Sequence, residues 1–342
     1  MDLLPSSEQD EIATVVASFL RAELPINDLR VNHHDYASFT TAMWKKCGDL
    51  GWFGLGLSEE LGGVGYGLAE EVLLFRELGR HLAPGPYVGS VLGARVAALA
   101  GQSELAASIV AGEASVGMAE PRGAVTVASA GVSGTFDLLD GAGATHVLMH
   151  SDSGFALVAT SALGEVPLLP CIDPGTRLTR VELNGVVPVA FLAEGADVVF
   201  RRGTVLVAAM LCGIAEATRD LSSEYAKVRE QFGKPIGVNQ AIKHACANMA
   251  IRAEAATSQL FFAALAADEN RGDAILQTSS ARVVATNAAI ENATATIQVH
   301  GGMGYTFEHD ANLYFKRARI LERTLGESRR HLDLLLHAPA AQ

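Results

Sequence analysis

Cysteine and aromatic residues are scarce in this chain. Its 342 residues include four cysteines, and aromatic side chains make up 6% of the composition. The cysteines form no C-x-x-C pair, and no histidine neighbours them at a convincing ligand spacing. The pattern therefore argues against a disulfide framework and against a metal site, and it predicts a reducing, cytoplasmic compartment. The four positions are Cys47, Cys171, Cys212 and Cys246.

Basic charge is also in short supply. Lysine and arginine total 26 against 38 aspartate and glutamate residues, for a formal net charge of −12. Affinity for nucleic acid comes mostly from the neutralisation of phosphates by basic side chains. A chain with a negative net charge and no basic stripe is therefore predicted not to bind nucleic acid. The 49% apolar content is that of a packed globular protein.

Long hydrophobic runs are missing as well. The longest apolar stretch, Val205–Ile214, has about ten residues, whereas roughly 20 are needed to cross a bilayer. The first residues, MDLLPSSEQDEIATVV, carry acidic side chains and no basic segment before an apolar core, which is not the pattern of a secretory signal. We therefore expect no membrane association.

Three successive segments of the chain differ in their pattern of apolar and polar residues. Single cores stop growing near roughly 250–300 residues, so the length predicts two or three domains. We predict an N-terminal helical domain over 1–116, a middle β domain over 117–202 and a C-terminal helical domain over 203–342. The first helix starts at a capping box, Ser6 followed by Gln9. The middle block has short β-branched runs separated by Gly, Asp, Ser and Pro, which predicts a small antiparallel β domain.

The C-terminal block is predicted to be a four-helix bundle. Apolar residues recur at helical spacing from about Gly203 until Gly233 and Pro235 end the first helix. Two alanine-rich helices follow, and a fourth begins after Asp310. Because alanine lets helices approach closely, we expect four long antiparallel helices that also pack against further subunits.

Two motifs at the ends of predicted helices contain residues that are suited to bind a ligand. The arginine motif is Arg229–Ile236, followed by Gln240, and the glycine motif is Gln298–Tyr305. Taken alone, each has an ordinary structural interpretation, as a helix stop or a C-cap with a turn. Taken as a site, an arginine fork holds a pyrophosphate and an exposed phenylalanine offers a face to an adenine. Glycines let backbone N–H groups approach phosphate oxygens.

These motifs and three earlier segments, in this order, resemble the acyl-CoA dehydrogenase family of flavoproteins. The earlier segments are Trp52 with Leu57–Gly65, then Glu77–Arg80, then Met118–Pro121. The resemblance covers nearly the whole chain. It implies a mainly α fold with a small central β domain, between an N-terminal α domain and a C-terminal four-helix bundle. Family members are usually tetramers that desaturate an acyl-CoA between its α and β carbons, with FAD at a subunit interface.

The resemblance also assigns roles to residues that this chain retains. In the family, a carboxylate takes the α proton while flavin N5 takes the β hydride. The ADP half of FAD is held by one subunit and the flavin ring lies in a neighbouring subunit. The positions that match the ADP-binding residues are Arg229, Phe232, Gln240, Gln298, Gly301 and Gly302.

The chain departs from the family at the catalytic positions. The two places where the family keeps its glutamate align with Leu325 and Gly203, and neither residue can remove a proton. Glu327 and Glu322 lie close to the first position and are candidates for a displaced base. Ala119 stands where the family has a threonine facing the flavin, and residues 136–149 contain no tryptophan to flank the ring.

These facts lead to one hypothesis and two alternatives. The hypothesis is a non-catalytic subunit of a heterotetrameric acyl-CoA dehydrogenase that completes the FAD site of a longer homologue. The resemblance is to actinobacterial enzymes acting on CoA-activated steroid side chains, with electron-transfer flavoprotein or another protein as acceptor. The first alternative is a self-sufficient homotetramer that uses a displaced base such as Glu327. The second is a flavin oxidase or monooxygenase on the same fold.

Overall fold

The computed structural model of the chain describes residues 6–31 and 40–338. It divides into two compact units. The first comprises Met1–His33, Val72–Ala83 and Thr204–Gln342, and the second comprises His34–Glu71 and Pro84–Gly203. The predicted fold class is confirmed, because helices predominate and one central sheet lies between them in the sequence. The three predicted domain ranges stay predictions.

Twelve α-helices and ten strands are found in the described residues. The helices are α1 (Ser7–Glu23), α2 (Ile26–Val31), α3 (Thr41–Asp49), α4 (Leu68–Arg80), α5 (Tyr87–Leu99), α6 (Ser103–Val110), α7 (Ala196–Val228), α8 (Gln240–Asp268), α9 (Ala274–His300), α10 (Gly302–Tyr305), α11 (Ala311–Leu321) and α12 (Ser328–His337). The strands are β1 (Val116–Pro121), β2 (Thr126–Ala128), β3 (Gly131–Leu139), β4 (His146–Ser151), β5 (Gly154–Ala159), β6 (Leu168–Leu169), β7 (Leu178–Val186), β8 (Ala190–Leu192), β9 (Glu230–Gln231) and β10 (Lys234–Pro235).

The predicted capping box starts α1. The Ser6 hydroxyl accepts a hydrogen bond from Gln9 N over 3.2 Å, and the Gln9 side chain accepts one from Ser6 N over 3.0 Å. Two of the amides that an α-helix leaves unpaired at its start are satisfied in this way. The prediction is confirmed.

The second unit contains the sheet, which is mixed rather than antiparallel. Its strand order is β6-β7-β3-β1-β4-β5-β8, and β2 pairs with β3. The pairing of β1 with β4 is parallel, whereas the other pairs are antiparallel. The prediction of a purely antiparallel domain is therefore wrong. The chain passes from β3 across the end of β1 before β4 begins, so β4 runs in the direction of β1. One face of the sheet buries an apolar cluster that includes Phe136, Met149 and Val181.

The first unit contains the helical bundle. Helix α7 begins at Ala196, earlier than the predicted start near Gly203. A Cβ added at Gly79 on α4 would come within 2.0 Å of Met210 O on α7, so glycine permits this close crossing. Among the described residues, α7 is the one helix long and apolar enough to cross a membrane, and 89% of its apolar window is buried within the protein.

The last predicted bundle helix is broken. Instead of one long helix after Asp310, the chain forms α11 and α12 with a turn between them. Leu325 lies in this turn with φ +57°, a value in the left-handed region that no helix interior contains. The spacing of apolar residues does not mark this break, but the resemblance to the family places the turn before the last helix at Leu325, and the structure has a turn there.

Candidate cofactor and catalytic sites

The C-terminal ends of α7 and α9 lie side by side at one end of the bundle. Thr296 Oγ1 on α9 donates a hydrogen bond to Thr218 O on α7 over 3.1 Å. Closer to the ends, the rings of Tyr225 and His300 stack with their centroids 4.2 Å apart. The second contact lies nearer the C-terminus than the first in both helices, so α7 and α9 run parallel. The arginine and glycine motifs, which follow these helix ends, therefore meet at the same end.

The arginine motif forms a tight hairpin directly after α7. Arg229 N donates to Tyr225 O over 2.8 Å, and Ile236 N donates to Arg229 O over 2.8 Å. Strands β9 and β10 are the two arms of the hairpin. The Arg229 side chain is exposed. Its guanidinium can therefore reach an anionic group outside the chain without giving up a place in the core.

Phe232 lies at the tip of this hairpin, and its side chain is fully exposed. Its φ of +54° is in the left-handed region, which costs a residue with a side chain roughly 1–2 kcal/mol. The exposed ring and the positive φ of Phe232 both raise the free energy of the folded chain when it is alone. An aromatic face presented in this way is suited to stacking on a planar ring.

The glycine motif turns away from the end of α9. Gly301 has φ +62° and ψ −143°, and Gly301 N donates to Gln298 O over 3.1 Å. A Cβ added at Gly301 or Gly302 would meet no atom within 4 Å. The Gln298 side chain is exposed beside the turn. The backbone of the turn is therefore open to a ligand that approaches from outside.

Gln240 is the first residue of α8 and lies at the same end of the bundle with its side chain exposed. A cavity of about 290 Å³ is lined by residues from α7, the hairpin and α8, and it is close to the roughly 300 Å³ at which small-molecule pockets begin. Its lining combines apolar and basic side chains, among them Ala226, Pro235, Val238, Ile242 and Lys243. The guanidinium, the exposed ring, the cavity and the open turn together fit the ADP half of a dinucleotide.

The turn between α11 and α12 packs around the side chain of Leu325. Leu325 is fully buried. The buried guanidinium of Arg282 donates to Leu321 O over 2.5 Å and to Thr324 O over 3.0 Å. His331 is also fully buried, and burial together with the charge of Arg282 lowers its pKa to about 3. The position that matches the family base therefore holds an apolar side chain in a tightly packed turn.

The two candidates for a displaced base form ion pairs. Glu327 Oε1 lies 2.6 Å from Arg323 Nη2, and both side chains are largely exposed. Glu322 Oε2 lies 2.9 Å from Arg319 Nη1. Exposed pairs of this kind contribute about 0–1 kcal/mol. Each carboxylate is thus engaged by an arginine of its own helix or of the adjoining turn.

In the second unit, Gly203 follows a buried ion pair. Arg202 Nε lies 2.6 Å from Glu71 Oε2, and both side chains are buried. The other oxygen of Glu71 accepts a hydrogen bond from Gly56 N over 3.1 Å. Both oxygens of this carboxylate are therefore occupied, and Glu71 is a structural anion here.

Ala119 on β1, also in the second unit, belongs to the apolar cluster of the sheet. Its strand neighbours are Leu138 and Met149, and its side chain is fully buried. The next residue, Glu120, lies 3.3 Å from Nε2 of the buried His150. At Ala119, where the family has a flavin-facing threonine, this chain offers a methyl group in a core and no hydroxyl.

Two family models match the chain, "Acyl-CoA dehydrogenase, N-terminal domain" over residues 6–116 and "Acyl-CoA dehydrogenase, C-terminal domain" over residues 196–338. The chain belongs to the acyl-CoA dehydrogenase family. The family assigned from the motifs is thus confirmed, and the chain is an oxidoreductase of this flavin-dependent family.

Individual acyl-CoA dehydrogenases are similar over most of the chain. FadE34 of Mycobacterium tuberculosis is 37% identical over 288 residues, which cover 83% of this chain and 40% of FadE34. The match thus spans less than half of that relative. IpdE2 of the same organism is 31% identical over 97% of this chain and 98% of its own. A chain of the ChsE4–ChsE5 complex from M. tuberculosis superposes with a TM-score of 0.87, at 28% identity, covering 99% and 100% of the two chains. A steroid ACAD, Tcur3481–Tcur3483, superposes with a TM-score of 0.83, at 25% identity, covering 96% of each chain.

The structure of this acyl-CoA dehydrogenase family member brings the six predicted ADP-binding residues to one end of the bundle, and their roles stay predictions. Sequence reasoning missed the ring stack behind the glycine motif and the Glu71–Arg202 pair. A histidine at the end of a helix gives no sign of its ring partners, and Glu71 looks like any surface carboxylate. Within the described residues, no three His, Cys, Asp or Glu side chains cluster as metal ligands would.

Proposed function

We propose that this chain is the base-lacking subunit of a heteromeric, FAD-dependent acyl-CoA dehydrogenase. It would lend one end of its helical bundle to the FAD of a longer homologous subunit. One observation carries this proposal. The first unit has an end with an exposed phenylalanine at positive φ, Phe232, and an unobstructed glycine turn at Gly301, yet Leu325 is buried where the family keeps its base.

Each residue at the open end would have a definite task. The Arg229 guanidinium would pair with pyrophosphate oxygens, and the Phe232 ring would stack on the adenine. The backbone at Gly301 would approach a phosphate, and the amides of Gln240 and Gln298 would orient the ligand through hydrogen bonds. When bound, FAD supplies the acceptor for the β hydride. Neither Leu325 nor Gly203, at the two positions of the family base, can take the α proton, so we assign that task to the longer subunit.

The comparisons support a heteromeric enzyme acting on a bulky substrate. One similar structure is the ChsE4–ChsE5 complex, and another is a steroid ACAD. We therefore propose a steroid side-chain acyl-CoA as substrate and a heterotetramer with two copies of each subunit. Electron-transfer flavoprotein or another cytoplasmic acceptor would reoxidise the flavin. We further propose that the domains are 1–116, 117–202 and 203–342.

Flavin content tests this proposal. The tagged chain is purified alone and after coexpression with a longer family member. Absorbance at the flavin band and mass by light scattering are then measured on both samples. We expect a colourless chain alone and a yellow complex that contains half as many FAD molecules as chains. A yellow, active homotetramer made of this chain alone would overturn the proposal and point to Glu327 or another base.

A further inference from the structure

Three aromatic rings pack together behind the glycine motif. His300 stacks on Tyr225 with their centroids 4.2 Å apart, and the ring of His309 lies 4.3 Å from that of His300. His300 is buried and is the residue directly before Gly301. The conformation of the glycine turn is therefore coupled to the position of this imidazole.

The contacts of His300 require a neutral ring. Nδ1 lies 2.8 Å from Thr296 O, and since a carbonyl only accepts, Nδ1 carries the proton. Nε2 is buried and has no hydrogen-bond partner among the described residues. A second proton at Nε2 would place a charged donor in a site without an acceptor, which is strongly unfavourable.

His309 is also held in its neutral form. Its Nδ1 accepts a hydrogen bond from Ala311 N over 3.1 Å, so this nitrogen keeps its lone pair. Protonation there would break the bond and release an amide in the first turn of α11. The charged groups facing the pair are Asp310 and Arg30, which lie 3.3 Å apart as an ion pair.

The neighbouring groups do not offset burial. Burial lowers the pKa of His300 below its ordinary 6.5; the hydrogen bond to the Thr296 carbonyl opposes this without reversing it, and proximity to His309 lowers the pKa further. Burial lowers the pKa of His309 as well, and Arg30 opposes the raising effect of Asp310. From α7, the side chain that stacks on His300 is the phenol ring of Tyr225.

We propose that His300 and His309 form a latch that holds the glycine motif in its ligand-binding shape only while both imidazole rings are neutral. Binding of an ADP-like ligand at this end then weakens in mild acid. The proposed latch sets the shape of the glycine turn in this chain. That the ligand is the ADP half of FAD rests on the proposed function. His300 is in this sense a positioning residue that acts through Gly301.

The direction of the effect follows from proton linkage. If the latch is released and the two rings become solvated, both regain the ordinary pKa of 6.5, so the released form takes up protons before the latched form does. The latched form is fully favoured above pH 6.5, and its population decreases as the pH falls below that value. Each proton taken up shifts the balance by at most about tenfold per pH unit.

Amide hydrogen exchange of the chain alone tests the latch without any flavin. Exchange of amides 301–306 is measured at pH 7.5 and pH 5.5 and corrected for the intrinsic rates. For the natural chain we expect protection to fall by about tenfold in acid. His300→Phe keeps the stack without the titrating group, and His309→Asn keeps an acceptor for Ala311 N. Each variant removes one of the two proton sites, so its response should fall to roughly threefold.

His337→Phe is the matched control. His337 makes the same type of contact, Nδ1 with the carbonyl of Asp333 over 2.7 Å, but it is exposed at the end of α12. This variant should respond to acid like the natural chain. Equal protection of the natural chain at both pH values would overturn the latch, and so would an unchanged acid response in both His300→Phe and His309→Asn.

The complex with the longer subunit provides the second readout. The dissociation constant of FAD should rise by about tenfold between pH 7.5 and 5.5 for the natural chain and by roughly threefold for His300→Phe, which keeps His309. Identical profiles would overturn the latch and leave the proposed function intact. A complex that binds no FAD at any pH would contradict the proposed function, and the exchange measurement would still decide the latch.

Discussion

The glycine motif and the turn at Leu325 both follow bundle helices and both contain a residue with positive φ, yet they are built in opposite ways. At Gly301 the space that a Cβ would fill is empty, and at Leu325 the side chain is fully buried beside Arg282 and His331. The first turn is open to a group from outside, and the second is filled by the chain itself. Glycine adopts a positive φ without steric cost, whereas the leucine does so in a turn where its side chain is buried.

The largest expected effect concerns the closed turn. His331 has a pKa of about 3 in the folded chain and an ordinary value of 6.5, so the unfolded chain binds the proton first. The contribution of His331 to stability is complete above pH 6.5 and declines as the pH falls towards 3. Between pH 6.5 and pH 4 it should lose about 3 kcal/mol.

Denaturant unfolding at both pH values measures this loss. His331→Asn should weaken the pH dependence by about that amount, whereas His337→Asn on the same helix should leave it unchanged. If His331→Asn unfolds with the pH dependence of the natural chain, the closed turn is not the acid-sensitive part of the bundle.

At the open end, Arg229→Ala should affect the ligand and leave the fold intact. The exposed guanidinium supports no core packing, so the free energy of unfolding of the chain alone should change by less than about 0.5 kcal/mol. Loss of a charge-assisted contact to phosphate should weaken FAD binding in the complex by about 2 kcal/mol, roughly 30-fold. Arg323→Ala, which removes an arginine beside the closed turn, is the control. Equal FAD affinity of Arg229→Ala and Arg323→Ala would contradict the prediction that the exposed end binds the cofactor and the turn at Leu325 does not.

Phe232→Asn should improve the chain alone while it harms the complex. Asparagine tolerates positive φ better than phenylalanine, so the free energy of unfolding should rise by about 1 kcal/mol. Loss of the stacked ring should weaken FAD binding by about 1 kcal/mol. Phe307→Asn is the control, because Phe307 is exposed without a positive φ and should give no gain in stability. A destabilised Phe232→Asn chain would show that the ring packs within the chain.

The smallest effect is expected at Glu327. Its pair with Arg323 is exposed, so Glu327→Gln should change stability by less than about 0.5 kcal/mol. Dehydrogenation by the complex should remain at the level of the natural protein. Abolished turnover in a folded Glu327→Gln complex would instead identify the displaced base of a self-sufficient enzyme.

Features set by neighbouring residues could be predicted from the sequence. The Ser6–Gln9 cap depends on two side chains one turn apart, and the ends of α7 and α9 depend on local glycines and a proline. The exposed end of the bundle could therefore be located before its geometry was known.

Features set by distant residues could not be predicted. The parallel pairing of β1 with β4 depends on where the chain crosses after β3, and short strands of either direction have the same composition. The ring stack at His300 requires Tyr225 from a different helix. The burial of Leu325 depends on Arg282 and His331, which come from two further helices.

The bare ring of Phe232 also bears on how this protein must be produced. In the proposed heteromeric enzyme, a chain made in excess of the longer subunit would carry that ring uncovered, together with the open glycine turn. Exposed apolar groups promote self-association and attract chaperones and proteases. We therefore expect balanced translation of the two subunits, and a short lifetime for any copy of this chain that is left without one.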